Sequence, residues 1–242
     1  AANRKRQTER VRVFEIGRVF LRDPAGQPVA GFHQPLRVGG LWAGPALPEQ
    51  WGAATRPADF FDVKGDLEAL LGVSPRLTFA KAPHPALHPG RSAKVSLDGT
   101  PIGFIGELHP QWAQKYELAG PGNAAPVVFE LDLEAWLSPP MPAYREVSRF
   151  PVVTRDLAMT VAKDQALSPL LAALRSAAPD VVQEIRLFDV YQGKGLPEGQ
   201  KSVAFRIVMQ DTERTLEDRE VDAVMAAFVA VVVEQFGGAL RS

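Results

Sequence analysis

Arg155-Asp156-Leu157-Ala158-Met159-Thr160-Val161 is the stretch that decides the fold. Leu157, Met159 and Val161 alternate with Asp156, Ala158 and Thr160, the period of two expected of a strand with one buried face. Downstream, Ser168-Pro169 opens a helix, with Ser168 as the expected cap, Pro169 in the first turn and Pro179 beyond the end. Ile185 to Tyr191 reads as a strand, Gly193 to Gly199 as a loop, and Val203, Phe205, Ile207 and Met209 as one face of the next strand. Thr215 with Asp218 three residues on resembles a capping box, and Val221, Val224, Met225, Phe228, Val231, Val232 and Phe236 form the apolar stripe of a second helix. Gly237-Gly238 stops that helix and leaves Ala239 to Ser242 as a terminal strand. The order βαββαβ is the split-βαβ, ferredoxin-like pattern, in which two helices cover one face of a four-stranded sheet and the other face stays open.

Upstream the rhythm differs. Val11 to Phe20 and Leu36 to Trp42 read as strands, with turn chemistry at Asp23-Pro24-Ala25-Gly26 between them. Phe60, Val63, Leu67, Leu70 and Leu71 fall on one helical face, with Asp59 as the expected cap and Gly72 as the expected stop. Lys81 to Gly90, with three prolines and two histidines, reads as an irregular loop. Ala93 to Leu97 and Ile102 to Glu107 form a hairpin through Asp98-Gly99-Thr100-Pro101, a short helix follows Pro110, and Val127 to Leu133 is another strand. This part is α+β with mainly antiparallel strands. The proline cluster Ser138-Pro139-Pro140-Met141-Pro142 fits a linker, which divides the chain into residues 1–142 and 143–242.

Composition removes several function classes. With 27 Lys+Arg against 28 Asp+Glu, the net charge of −1 excludes coating of nucleic acid by bulk attraction, though not a local patch. The absence of cysteine removes thiol nucleophiles, redox pairs and thiolate metal sites. No run approaches the roughly 18 to 20 apolar residues of a membrane span and no signal-peptide pattern opens the chain, so the expected compartment is the cytoplasm. His84 and His88 are spaced as helical metal ligands would be, but Pro83, Pro85 and Pro89 forbid a regular helix there, and His33 and His109 stand alone. Neither Gly103-Phe104-Ile105-Gly106 nor Gly193-Lys194-Gly195 precedes a helix, as a phosphate cradle requires. The acids Glu213, Glu217, Asp218 and Glu220 read as a helix N-terminus complementing its dipole. No catalytic residue and no metal ligand is expected in this chain.

An RNA surface is the sharper expectation. If Leu157, Met159, Val203, Phe205 and Ile207 face the helices, then Ala158, Thr160, Ser202, Ala204 and Arg206 face outward. Asp189 and Tyr191 share one face, with Phe188 and Val190 on the other. Ile185 and Leu187 have the parity of Asp189, so either a bulge intervenes or both faces are partly covered. An aromatic ring beside small residues, a carboxylate and arginines suits unpaired bases, which stack and hydrogen-bond by their edges. A protein-interaction or small-molecule-sensing module using the same sheet is the alternative, since such sheets also host metabolites and protein partners.

Several stretches carry a resemblance. Arg12-Val13-Phe14-Glu15-Ile16-Gly17-Arg18-Val19-Phe20, Asp59-Phe60-Phe61-Asp62-Val63-Lys64-Gly65-Asp66, His88-Pro89-Gly90-Arg91-Ser92-Ala93 and Ile102-Gly103-Phe104-Ile105-Gly106-Glu107-Leu108-His109-Pro110 resemble the C-terminal part of the bacterial phenylalanyl-tRNA synthetase β subunit. Arg149-Phe150-Pro151, Arg155-Asp156-Leu157-Ala158, Leu187-Phe188-Asp189-Val190-Tyr191, Lys201-Ser202 and Arg214-Thr215-Leu216 resemble its terminal ferredoxin-fold anticodon-binding domain.

The resemblance implies that residues 1–142 form an N-terminally truncated, inactive module with the antiparallel sheet of class II synthetases. A working site of that class has Arg-x-Glu and Glu-Arg motifs; here Val13 stands two before Glu15, and Leu108 follows Glu107. Trp42, Phe60 and Phe61 are expected in its core. Residues 143–242 would bind the anticodon stem-loop of tRNA(Phe), with Ala158, Asp189, Tyr191 and Ser202 on the base-reading surface. Arg155, Lys201 and Arg206 are added to that surface on charge grounds. The implied partners are the α subunit, in an α2β2 enzyme, and tRNA(Phe). ATP and Mg would serve the whole enzyme, with no cofactor in this part. Editing modules of the family have no match here, so the chain is expected to be a fragment.

Overall fold

A computed structural model describes residues 9–71, 77–118, 124–137, 144 and 147–241, which fall into two units, Ala1–Met141 and Pro142–Ser242. The expected helix stop at Gly72 and the expected linker Ser138–Pro142 lie outside the described residues.

The first unit contains β1 (Val11–Arg18), β2 (Leu21–Arg22), β3 (Pro28–Val29), β4 (Phe32–His33), β5 (Leu36–Ala43), α1 (Phe60–Leu71), β6 (Leu77–Lys81), β7 (Leu87–Leu97), β8 (Thr100–Leu108), α2 (Pro110–Lys115) and β9 (Val127–Asp132). Strands β1-β5-β9-β8-β7-β6 form a six-stranded antiparallel sheet in that order; β2, β4 and β3 form a small separate one. The hairpin between β7 and β8 turns on Asp98 (φ 49°) and Gly99 (φ 78°), the two left-handed residues of a type I′ turn.

Helix α1 starts where Asp59 Oδ1 accepts from the Phe61 and Asp62 N–H groups at 2.8 and 3.2 Å. Its Val63 and Leu67 are buried in one cluster with Val38, Trp42, Val95, Ile105, Val127 and Leu131 of the sheet. Trp42 is in that core and Phe60 packs against it, but Phe61 is 73% exposed, because it follows Phe60 by one helical position and points away. The expected loop at Lys81–Gly90 is shorter than predicted: β7 already begins at Leu87 and pairs with Leu108, then slips register before Ser92 meets Gly106. The prolines interrupt the pairing without preventing extended backbone.

The second unit runs β10 (Val153–Ala162), α3 (Leu167–Ala177), β11 (Val182–Tyr191), β12 (Gln200–Met209), α4 (Asp218–Phe236) and β13 (Ala239–Leu240). This is the βαββαβ order read from the sequence, and the antiparallel sheet is ordered β11-β12-β10-β13. Leu157, Met159, Val161, Val203, Phe205, Ile207 and Met209 form one buried cluster with Leu170 and Leu174 of α3 and Val221, Val224, Phe228 and Val232 of α4. Both helix starts differ from expectation. Ala166 precedes α3 without any side-chain cap, so Ser168 lies inside the first turn. Helix α4 is capped by Glu217, which forms a reciprocal capping box with Glu220 in place of Thr215 with Asp218. Gly237, with φ 60°, takes the left-handed conformation that ends α4.

Candidate nucleic-acid interface

The open face of the second sheet owes its chemistry to one irregularity in β11. Ile185 and Leu187 stand opposite Ile207 and Phe205 on the helix side. Between Leu187 and Asp189 the register slips, so that Asp189 stands opposite Ala204 and Tyr191 opposite Ser202. Phe188 is the extra residue of this bulge, and the parity of every later side chain is reversed. Of the two readings the sequence left open, the bulge is the one found. It also moves Phe188: its ring lies 5.0 Å from the Arg206 guanidinium on the open face, not on the opposite side as alternation predicted.

Ala158 and Ala204 are ladder partners at the middle of this face and leave it flat. At one end, the Tyr191 hydroxyl donates to the Lys194 carbonyl at 3.1 Å, which anchors the ring over the following loop. Gly193 permits this approach, since a Cβ there would lie 2.7 Å from the Tyr191 oxygen. Tyr191 is 37% exposed. At the other end, Arg206 donates two hydrogen bonds to Asp156, both at 2.8 Å. Those bonds are the main reason that the Asp156 carboxyl titrates below its ordinary range.

Placement separates the expected site residues. Ala158, Asp189, Tyr191, Ser202 and Arg206 share the open face. Arg155 and Lys201 do not. Arg155 is opposite Ile207 on the helix side, with its guanidinium 3.6 Å from Asp218 at the start of α4. Lys201 is opposite Val161, is 8% exposed, and donates to the Gln165 carbonyl at 2.6 Å. Its burial lowers the ammonium pKa, an effect that Asp164 partly offsets. Charge alone selected these two; strand parity assigns both to the wrong side for an open-face contact.

Arg241 was missed. Its backbone N–H donates to the Ala158 carbonyl at 2.9 Å, and its guanidinium reaches across β10 to donate to Ser202 Oγ at 3.1 Å. The same guanidinium lies 5.3 Å from the centre of the Tyr191 ring. Ser202, only 3% exposed, is therefore covered by Arg241. Arg241 lies within the terminal strand read from the sequence, and alternation there, with Leu240 opposite the buried Met159, would have placed it on the open face.

The arrangement offers a ring, a guanidinium poised beside it, a carboxylate at Asp189 and a floor of small side chains. It has no catalytic constellation. Among the described residues, no cluster of His, Asp and Glu suits a metal ion; His84 and His88 each accept at Nδ1 from their own local backbone, from Ala86 at 3.3 Å and from Gly90 at 3.0 Å. No helix among the described residues is long and apolar enough to cross a membrane.

Comparison with known proteins gives two family matches. The family described as "Phenylalanyl tRNA synthetase beta chain CLM domain" matches residues 1–133, and "Ferredoxin-fold anticodon binding domain" matches residues 148–241. The chain is 56% identical over 241 residues to a protein of Aromatoleum aromaticum named phenylalanine–tRNA ligase beta subunit, covering 99% of this chain and 30% of the relative. Proteins of the same name from Dechloromonas aromatica and Neisseria gonorrhoeae are 55% and 49% identical, each over 99% of this chain, which covers 30% and 29% of them. The chain thus spans about 30% of the length of the relatives it matches. With one family description over its first unit, another over the sheet just described, and relatives of a single name, the chain belongs to the phenylalanyl-tRNA synthetase β-chain family.

Proposed function

We propose that this chain is the non-catalytic, C-terminal part of a phenylalanine–tRNA ligase β subunit, and that its second unit holds the anticodon loop of tRNA(Phe). The observation that carries the reading is the bulged open face, where Tyr191, Asp189, Ser202 and Arg241 converge on a floor of alanines. A base stacks on the Tyr191 ring, Asp189 accepts from a base edge, Ala158 allows close approach, and Ser202 holds the Arg241 guanidinium that covers it. Arg241 takes the place that Lys201 and Arg155 held in the sequence reading.

The first unit is, on this proposal, a class II synthetase-like module that supports the catalytic α subunit without performing chemistry. Its residues do not fit ATP and Mg: Val13 stands where an arginine would be needed, and Glu107, followed by Leu108, is engaged by Arg91 at 2.6 Å. Both would be held by the α subunit of a cytoplasmic α2β2 enzyme that charges tRNA(Phe) with phenylalanine. The exposed apolar side chains of Val13, Phe14 and Ile16 on β1 support a protein-facing role for this unit.

The test is a titration of the chain with tRNA(Phe) and with the same tRNA carrying a foreign anticodon, at low and moderate salt. Tighter binding of the native anticodon at both salts is expected. Equal affinity for the two would sink the reading of the open face.

A further inference from the structure

The open face holds a second aromatic platform, and the geometry points to it as the seat of another unpaired nucleobase of the same RNA strand. The platform is Phe188 with Arg206 and Asp156, and the inference rests on the reading of this face as an anticodon reader. Phe188 is the extra residue of the β11 bulge and is 48% exposed. The Arg206 guanidinium lies 5.0 Å from the ring centre and is held by two 2.8 Å hydrogen bonds from itself to the Asp156 carboxylate. Bidentate pairing fixes the orientation of a planar guanidinium. The ring and guanidinium are therefore ordered before any ligand arrives, and little side-chain entropy remains to be lost on stacking.

Three features favour a base over other ligands. The Arg206 and Asp156 charges satisfy each other, so the platform presents a π surface with little net charge, which suits a neutral heterocycle. Arg186 is the ladder partner of Arg206 on the same face, and its only ion-pair distance among the described residues is 3.9 Å to Glu184, loose enough to release the guanidinium to a backbone phosphate. Finally, the paired Ala158 and Ala204 form a floor of small side chains between this platform and Tyr191 on which a strand can lie. Phe188 and Tyr191 are three residues apart on β11, about 10 Å along the strand. That is well beyond the ~3.4 Å between stacked neighbours. The two bases are consequently splayed, each on its own platform, and occupy different loop positions.

The test uses the assembled ligase with its full β subunit and tRNA(Phe) in which each anticodon-loop base is removed in turn, leaving an abasic sugar. Filter binding reads the affinity of each RNA for the unaltered enzyme, Phe188→Ala, Phe188→Leu, Phe188→Trp and Tyr191→Ala. Phe188→Ala is expected to weaken the intact tRNA by roughly five- to 150-fold and to lose sensitivity at one loop position. Tyr191→Ala should lose it at a different position, and Phe188→Trp should restore the first. If Tyr191→Ala maps to a position but Phe188→Ala maps to none or to the same one, the second platform is overturned and the anticodon reading stands. If Phe188→Leu restores binding, the side chain only fills space and the proposal fails. If neither variant maps to any position, both readings fall together.

Discussion

Tyr191 shows how much of the proposed binding face a single residue decides. Its ring is fixed at the hydroxyl by the Lys194 carbonyl and flanked by Arg241, so removal of the ring takes away the stacking surface while the sheet beneath remains intact. In the assembled ligase, Tyr191→Ala should weaken tRNA(Phe) binding by about 1–3 kcal/mol, with amino-acid activation unchanged. Equilibrium binding and ATP–pyrophosphate exchange measured on the same preparation check both halves of that statement. Lys201→Met supplies the contrast: the buried ammonium faces the helices, so its loss should leave tRNA affinity within twofold of the original, and a larger fall would mean that the side chain reaches RNA. At this scale the sequence was legible where alternation is regular. Ala158, Ser202 and Arg206 follow from the parity of Leu157, Val203 and Phe205. The face of Phe188 was not legible, because the shared parity of Ile185, Leu187 and Asp189 fits a bulge and two partly covered faces equally, and a bulge is a backbone event that no side chain settles. Arg155 and Lys201, chosen by charge without parity, lie on the helix side of the sheet.

The elements tell a similar story with different physics. Of the helices of the second unit, α4 was visible as an apolar stripe, since burial against the sheet dominates helix stability, and α3 from the Ser168-Pro169 pair near its start and Pro179 beyond its end. Their first residues were not, because several side chains near each start can serve as a cap and the stripe does not choose between them. On α4 the cap is Glu217, with Glu220 as its partner and Arg214 bonded to both Glu220 oxygens at 2.8 and 2.5 Å. Those bonds, helped by the Glu217 N–H, lower the Glu220 pKa from the ordinary 4.5 to about 2. A carboxyl whose folded pKa is depressed stabilises the fold fully above its unfolded value and loses that contribution as pH falls through the folded one. Acidification between about pH 4.5 and 2 should therefore loosen the start of α4. Unfolding midpoints followed across that window should fall less steeply in Glu220→Gln than in the parent, and parallel curves would remove Glu220 from the account. The body of the helix depends on packing instead. Phe228 is fully buried between α4 and the sheet, and Phe228→Ala should cost about 3–5 kcal/mol, read as faster amide exchange along β12. A change under ~1 kcal/mol would mean that the neighbouring side chains close the cavity.

For the molecule as a whole, charge is the quantity that constrains function most. The chain carries a net −1, and from Arg149 to Ser242 there are 11 basic against 13 acidic side chains. Even a domain proposed to bind RNA is thus slightly acidic, and long-range attraction cannot account for its affinity. On the proposed reading two arginines of the open face, Arg186 with its long 3.9 Å contact to Glu184 and Arg241 with one bond to Ser202, meet phosphates, while Arg206 is committed to Asp156. If two phosphate contacts are made, the logarithm of the binding constant should fall with the logarithm of salt concentration at a slope of about −1.4 for a single strand. Raising salt from ~50 to ~200 mM would then weaken binding only about sevenfold, against losses of ~10³ or more for proteins that grip six to ten phosphates. The proline cluster and the change of rhythm suggest a domain division in the sequence, but a weak salt dependence is not legible there, because it depends on which arginines are already paired. A titration series of the chain with the anticodon stem-loop gives the slope directly. A value steeper than about −4 would show that backbone phosphates dominate, and the picture of a stacking surface reading a few unpaired bases would have to be abandoned.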